Sequence, residues 1–173
     1  MCIRDSSPYG EERVAQFVYD WLAREGLEPR LRQVLPGRPV VLATAPGLDS
    51  SKTLLLSSHM DTVDVKDMTI DPFSGTLEQG RIFGRGACDV KGTLAVMMIA
   101  YRDRVRQGAL PCNLALLATC GEEYSMSGAA YLARNPRLLP GPPAGAVIGE
   151  PTGLQVVTAH KGVIRLRLET IGK

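Results

Sequence analysis

The chain has 173 residues and a formal net charge of +2, with 45% hydrophobic and 22% charged residues, which is ordinary globular composition. This length corresponds to one domain, or one domain plus part of another, and it buries enough surface to fold without a disulfide or a structural metal. The balanced charge and the lack of a basic run argue against a nucleic-acid-binding surface. The longest apolar run, residues 94–101, is too short to cross a bilayer, and no signal peptide is visible.

Histidine and cysteine limit the chemistry further. The only histidines are His59 and His160, so a zinc site built mainly from histidines is excluded within this chain. Any metal held here needs carboxylates as its main ligands. The four cysteines form no Cys-x-x-Cys pair and no regular framework, which favours reduced thiols in a cytoplasmic protein.

The N-terminal part of the chain predicts a helix followed by a hairpin. The helix is expected to start near Ser7-Pro8 and to stop at Gly26. Two apolar runs, 31–35 and 40–44, are split by Pro-Gly-Arg-Pro and predict the hairpin. The apolar face of the helix consists of Val14, Phe17, Val18, Trp21 and Leu22.

Strands and helices alternate in the rest of the chain. The stretch from His59 to Gly92 is rich in Gly and Asp and has one strand-like piece at 81–83, and an irregular passage of this length is usually functional. The predicted elements are a strand at 53–58, a helix with the apolar face Leu94, Met97, Met98, Tyr101 and Val105, a strand at 113–119, a helix at 127–134 and a strand at 144–148. This order predicts an α/β fold with a mainly parallel sheet covered by helices. Alternation over 163–170 predicts a further, half-exposed antiparallel strand.

Acidic side chains follow the predicted strands at the points where these end, and Asp89 lies at the start of the second predicted helix. In open α/β sheets ligands bind at the carboxyl ends of the strands, so these side chains should meet at one edge. Carboxylates that close cannot all ionise unless a cation neutralises them, and imidazole with carboxylate oxygen suits zinc. The sequence therefore predicts a carboxylate-rich metal centre. Its candidate members are His59, Asp61, Asp89, Glu122, Glu123 and Glu150.

Four motifs in order carry a family resemblance. They are S-S-H-M-D-T-V at 57–63, G-R-G-A-C-D-V-K-G at 84–92, G-E-E at 121–123 with S-G-A-A at 127–130, and G-E-P-T at 149–152. The chain resembles the family of acetylornithine deacetylase, succinyl-diaminopimelate desuccinylase, aminoacylase and glutamate carboxypeptidase over about residues 7–173. These enzymes are di-metal hydrolases of amide bonds next to an amino-acid carboxylate. The resemblance implies a zinc-peptidase-like catalytic domain.

The resemblance also implies roles for the acidic cluster. His59 and Glu150 would bind one of two divalent metals, zinc in the first instance with cobalt as the alternative, Glu123 would bind the other, and Asp89 would bridge both. Asp61 would hydrogen-bond the free imidazole nitrogen and fix its tautomer. Glu122 would be the general base, which takes a proton from the attacking water and returns it to the leaving amine. The bond after Asp89 is expected to be cis.

The chain departs from the family pattern at both ends. The family has a further metal-ligating histidine near its C-terminus and an inserted α/β lid domain, and residues 160–173 resemble only the first strand of that lid. We therefore expect a catalytic domain at 1–159, the start of a truncated lid or dimerisation domain at 160–173, and a homodimer for the full-length protein. Residues 1–6 match nothing in the family and are not expected to be a native start.

Simpler interpretations exist for each residue taken alone. His59 and Asp61 could be a satisfied buried pair, and Asp89 could be a helix cap, or both cap and ligand. The pair Glu122-Glu123 could be a solvated acidic turn, and Glu150 a turn residue. Cys88, Cys120 and His160 are interpreted as packing, structural or exposed residues rather than metal ligands.

The function that these features predict is hydrolysis of the amide bond of an N-acyl amino acid, of the deacetylase or desuccinylase type found in amino-acid biosynthesis. The alternatives are a dipeptidase or carboxypeptidase of the same family, or a metal-binding fragment without catalysis. The expected partner is a small N-acyl amino acid or a short peptide, with neither nucleic acid nor membrane involved.

Overall fold

A computed structural model of the chain describes residues 10–162, 164 and 166–172. The predicted helix start at Ser7-Pro8 lies outside these residues. Among the described residues no helix has the length and apolar character needed to span a membrane. The elements are α1 (Glu12–Arg24), β1 (Pro29–Leu35), β2 (Arg38–Ala45), β3 (Asp49–His59), β4 (Leu77–Glu78), β5 (Arg81–Ile82), α2 (Lys91–Gln107), β6 (Cys112–Thr119), α3 (Ser127–Arg134), a 3-10 turn (Pro136–Leu138) and β7 (Pro143–Ile148).

Within the described ranges, the main sheet has five strands in the order β1-β2-β6-β3-β7. β3 is parallel to both of its neighbours, β6 and β7, whereas β2 is antiparallel to both β1 and β6. The α/β class is confirmed, but the expectation of a mainly parallel sheet is wrong, because half of the strand pairings are antiparallel. The physical reason is that the β1–β2 hairpin extends the sheet by placing β2 against β6, while the short β4–β5 ribbon stays separate.

The two faces of the sheet pack against different helices. Alternate residues of β2 point to opposite faces, as a strand requires: Val41 and Ala43 join the cluster under α1 and α2, and Val40 and Leu42 join the cluster on the other face. In α1 the buried positions are Val14, Ala15, Val18 and Leu22, and in α2 they include Leu94, Met97, Met98 and Tyr101. The predicted faces of both helices therefore form the core, although Phe17 remains 38% exposed.

The C-terminal segment differs from its prediction. Residues 163 and 165 lie outside the described part, and the described residues of 163–170 are exposed and form no strand. A strand needs a neighbour for its backbone hydrogen bonds, and none of the described strands pairs with this segment. The division into domains at 159/160 stays a prediction.

Candidate metal centre

The parallel strands bring the candidate residues to one edge of the sheet. His59, the last residue of β3, lies opposite Thr119 at the end of β6, and Ser57 lies opposite Ile148 at the end of β7. The three strands therefore end almost level. The chain leaves this edge after β6 toward Glu122 and after β7 toward Glu150.

His59 is the centre of the cluster. Its ring is buried, and its Nε2 lies 3.1 Å from Asp89 Oδ1, 3.8 Å from Glu150 Oε1 and 3.9 Å from Glu122 Oε2. One ligand atom from each of His59, Asp89 and Glu150 lies within 4.8 Å of the others. The three carboxylates are one-third to one-half exposed, whereas His59 is 1% exposed. The imidazole therefore lies on the buried side of the cluster, and the carboxylates lie on the side that faces solvent.

Asp61 holds two parts of the site together. Its carboxylate is fully buried and accepts hydrogen bonds from the backbone N–H groups of Glu122 and Glu123, both at 3.0 Å. The Nδ1 of His59 lies 3.0 Å from the Asp61 carbonyl oxygen and 3.5 Å from its carboxylate Oδ1. The nearer acceptor is thus the Asp61 carbonyl rather than its carboxylate. A proton on Nδ1 satisfies the Asp61 carbonyl. Nε2 faces the acids, where a second proton donates to Asp89 in the metal-free protein and a cation would replace that proton.

The charges of the site shift two of its pKa values in opposite directions. Burial disfavours the imidazolium form of His59, but contact with Asp61 and the charges of nearby glutamates outweigh burial and raise the pKa of His59 to about 9. Burial also works against the charged form of Asp61. Hydrogen bonds from His59 and from the backbone N–H groups of the glutamates overcome it and lower the pKa of Asp61.

The remaining acids repel one another. Burial, followed by the charge of Asp89, raises the pKa of Glu123. Burial raises the pKa of Glu150 as well, with further contributions from the charges of Glu122, Asp89 and Glu123. A divalent cation would relieve this repulsion, and one imidazole with carboxylate oxygens is a donor set that zinc accepts. The residues present therefore fit a metal.

Asp89 lies in the loop before α2. The N-cap of α2 is Val90, and no side chain caps it, so the possibility that Asp89 caps the helix is wrong. The Asp89–Val90 peptide bond is cis, as expected. The Asp89 side chain instead faces His59, at half exposure.

Glu122 and Glu123 lie in a turn, which we call the 121–125 turn. The Ser125 N–H donates to the Gly121 carbonyl at 3.0 Å and closes it. Gly121 has φ +67°, and a Cβ there would lie 2.4 Å from Ser127 Oγ, so only glycine fits. Both backbone N–H groups of these glutamates point at the Asp61 carboxylate.

Among the other residues considered in the sequence, His160 and Cys88 are exposed and Cys120 is buried. Burial raises the pKa of the Cys120 thiol to about 11, as expected for a packing residue rather than a reactive thiolate.

The sequence analysis did not predict a buried ion pair between Glu11 and Arg38. Glu11 is 0% exposed, and its Oε1 lies 2.5 Å from Arg38 Nη1. A signal was present: Glu11 precedes Val14, Ala15 and Val18 by three, four and seven residues, which places it on the apolar face of α1.

Comparison with known proteins places the chain in a family. The model of peptidase family M20/M25/M40 matches residues 55–169. The chain is 35% identical over 164 residues to acetylornithine deacetylase of Proteus mirabilis, an alignment that covers 94% of this chain and 41% of that protein.

Solved structures show the same relationship. An M20 family metallo-carboxypeptidase, Sso-CP2 from Sulfolobus solfataricus, superposes with a TM-score of 0.68 at 28% identity, over 80% of this chain and 32% of that one. Aminopeptidase PepT from Bacillus cereus superposes with a TM-score of 0.60 at 26% identity, over 78% of this chain and 38% of that one. The chain spans less than half the length of these relatives. The chain belongs to peptidase family M20/M25/M40.

Proposed function

We propose that the protein containing this chain is a metal-dependent hydrolase that cleaves the amide bond of N-acyl amino acids. The observation that carries the proposal is the convergence of His59, Asp89 and Glu150 at one edge of the sheet, with ligand atoms within 4.8 Å of one another. The family and the 35% identity to a deacetylase support the reaction class.

Two divalent cations, zinc in the first instance, would be held by His59, Asp89, Glu123 and Glu150. When bound, they would supply Lewis-acid polarisation of the scissile carbonyl and lower the pKa of a coordinated water. Asp89 faces Nε2 of His59 at 3.1 Å and is half exposed, so its carboxylate is available to more than one cation. The charges of Asp89 and Glu123 act on each other, which suits a shared site.

Glu122 is assigned as the general base. Its Oε2 lies 3.9 Å from Nε2 of His59, so the carboxylate is next to the ligand cluster without a direct hydrogen bond to the ring. The side chain is 31% exposed, which lets it reach substrate and water. It would accept a proton from the attacking water and deliver it to the leaving amine. Asp61 orients this machinery, because it holds the Glu122 and Glu123 amides and contacts His59.

The second candidate is cleavage of a peptide bond in a dipeptide or at a C-terminus. Sso-CP2, described as a metallo-carboxypeptidase, superposes on this chain with a TM-score of 0.68 and favours this alternative. The same ligand cluster and general base serve both reactions, since each cleaves an amide bond next to an amino-acid residue.

Isosteric replacement of the general base tests the assignment. In the full-length gene product that contains this chain, loaded with zinc or cobalt, Glu122→Gln is expected to lower kcat by about 10²–10⁴-fold while metal still binds. Substrates are N-acetyl-L-ornithine, N-succinyl amino acids and a set of dipeptides, and their relative kcat/KM values separate the two candidate functions. The matched control is Glu78→Gln, at an exposed position of β4, which should leave kcat unchanged. Full activity in Glu122→Gln would show that the role is wrong.

A further inference from the structure

The start of α1 is fixed to the β1–β2 hairpin at two points. The Glu11 N–H donates to the Gly37 carbonyl at 2.9 Å, and the buried Glu11 carboxylate pairs with Arg38 at 2.5 Å. Gly10, at φ +86°, makes this approach possible, because a Cβ there would lie 2.4 Å from the Gly37 oxygen. The position of Arg38 is thus set from the side of α1.

Arg38 in turn contacts the entrance of the 121–125 turn. β2 runs antiparallel to β6 with Val41 opposite Ala118, so the Arg38 end of β2 lies beside the end of β6 that leads into Cys120. The Cys120 thiol donates to the Arg38 carbonyl at 3.4 Å. The charge of Glu11 also acts on Cys120, which shows how near the ion pair lies to this residue.

The same turn is fixed from two other sides. The Gly128 N–H of α3 donates to the Cys120 carbonyl at 2.9 Å, and a Cβ on Gly128 would lie 2.6 Å from the Cys120 nitrogen. Asp61 accepts the Glu122 and Glu123 amides. The Arg38 carbonyl, Gly128 and Asp61 therefore hold the 121–125 turn and the residue before it, and the turn carries two of the proposed functional carboxylates.

We propose that Glu11 and Arg38 are positioning residues. Their ion pair fixes Arg38, and the Arg38 carbonyl holds the 121–125 turn in place by accepting from the Cys120 thiol. The inference rests on the proposed roles of Glu122 and Glu123. Both positioning residues lie N-terminal to the segment 55–169 that the family model matches. The competing interpretation is that the pair only fastens α1 to the sheet. In that case its loss would loosen α1 and leave the turn as it is.

Amide hydrogen exchange in the metal-free protein separates the two interpretations. Glu11→Gln keeps the shape of the side chain and removes its charge, so the Arg38 contact weakens. We expect the Glu122 and Glu123 amides to exchange at least tenfold faster than in the wild type, while amides of α2 keep their rates. The control Glu25→Gln breaks the ion pair between Glu25 and Arg106 at the other end of α1, at 2.8 Å, and should leave the turn amides unchanged. Unchanged turn amides in Glu11→Gln, or uniform acceleration throughout the chain, would overturn the proposal.

A kinetic readout and a second variant complete the test. In the metal-loaded full-length gene product, Glu11→Gln should lower kcat at least fivefold with KM within twofold, and Arg38→Lys, which retains the positive charge, should restore most of the rate relative to Arg38→Met. Equal losses in Arg38→Lys and Arg38→Met would contradict a positioning role. If Glu11→Gln does not fold, Cys120→Ala removes the same link without unpairing a charge and should accelerate exchange of the same two amides. Unaltered exchange in Cys120→Ala would then refute the proposal.

The two proposals fail separately. Exchange in the metal-free protein needs neither substrate nor catalysis, so the predicted acceleration can appear even if Glu122→Gln retains full activity. That combination would reject the general base and keep the positioning residues.

Discussion

Asp61→Asn should destabilise the folded chain far more than its small change in structure suggests. The Asp61 carboxylate is fully buried and accepts two backbone N–H groups, and hydrogen bonds to a charged group contribute about 1.5–3 kcal/mol each. An asparagine keeps one acceptor oxygen but turns an NH₂ group toward the other N–H, leaving that donor unpaired. We expect the free energy of unfolding to fall by about 3 kcal/mol.

The assay is urea unfolding of the metal-free chain, followed by fluorescence of Trp21, the single tryptophan. Asp64→Asn is the matched control, because Asp64 also accepts two backbone N–H groups, from Val65 and Lys66, but is exposed. Its loss should be under about 1 kcal/mol, since water replaces the bonds. A loss in Asp61→Asn no larger than in Asp64→Asn would refute the argument from burial.

The pH dependence of this difference has a definite sign. The folded-state pKa of Asp61 lies below its ordinary value of 3.8, so its carboxylate stabilises the fold above that value. The stabilisation is lost as the pH falls through the folded-state pKa. The difference in free energy of unfolding between wild type and Asp61→Asn should thus be largest at pH 7 and should decrease as the pH drops below 3.8. An equal difference at pH 7 and below pH 3.8 would contradict the charge of Asp61 as the cause of the stabilisation.

Two further predictions concern stability. Gly121→Ala should lower the free energy of unfolding by about 2 kcal/mol or more, because φ is +67° and the new Cβ would lie too close to Ser127 Oγ. The control Gly153→Ala, at φ +62° with no atom within 4 Å of the new Cβ, should lower it by only about 1 kcal/mol. Equal losses in the two variants would contradict the role of the close contact. Leu116→Ala removes a side chain of β6 that is 1% exposed and should lower the free energy of unfolding in urea by about 3 kcal/mol. Val147→Ala, at a position of β7 that is 50% exposed, should lower it by under about 1 kcal/mol. Similar losses in the two variants would show that the core is misassigned.

The local pattern of the chain predicted its elements better than their arrangement. α3 has the predicted bounds, 127–134, and the buried faces of α1 and α2 follow the apolar period, because both depend on residues close in sequence. Whether β2 runs parallel or antiparallel to β6 depends on contacts about 75 residues apart, for which alternation along a strand carries no signal. The antiparallel β1–β2 pairing was therefore predicted as a hairpin, whereas the antiparallel pairing of β2 with β6 was not predicted.

The candidate site divides in the same way. Strand ends and helix starts follow from local pattern, and the predicted convergence at one edge agrees with the ligand atoms of His59, Asp89 and Glu150, which lie within 4.8 Å of one another. The conformation of Glu122 and Glu123 was not predictable in this way, since an acidic pair fits an extended segment as well as a turn. The turn is stabilised by the buried carboxylate of Asp61, which accepts hydrogen bonds from both backbone N–H groups and lies 61 residues before Glu122. The roles of these residues stay predictions until the variants are measured.

The register of β3 between its two parallel neighbours has a consequence for folding. His59 faces the cluster only because Ser57 lies opposite both Leu117 and Ile148, and a slip of one residue would turn the imidazole to the other face of the sheet. Ligand atoms that are distributed from residue 59 to residue 150 come together only when both neighbouring strands are in place. A cation bound there would distinguish correctly registered molecules from slipped ones. At a concentration one hundred times its dissociation constant, such a cation would favour the correctly registered molecules by about 2.7 kcal/mol.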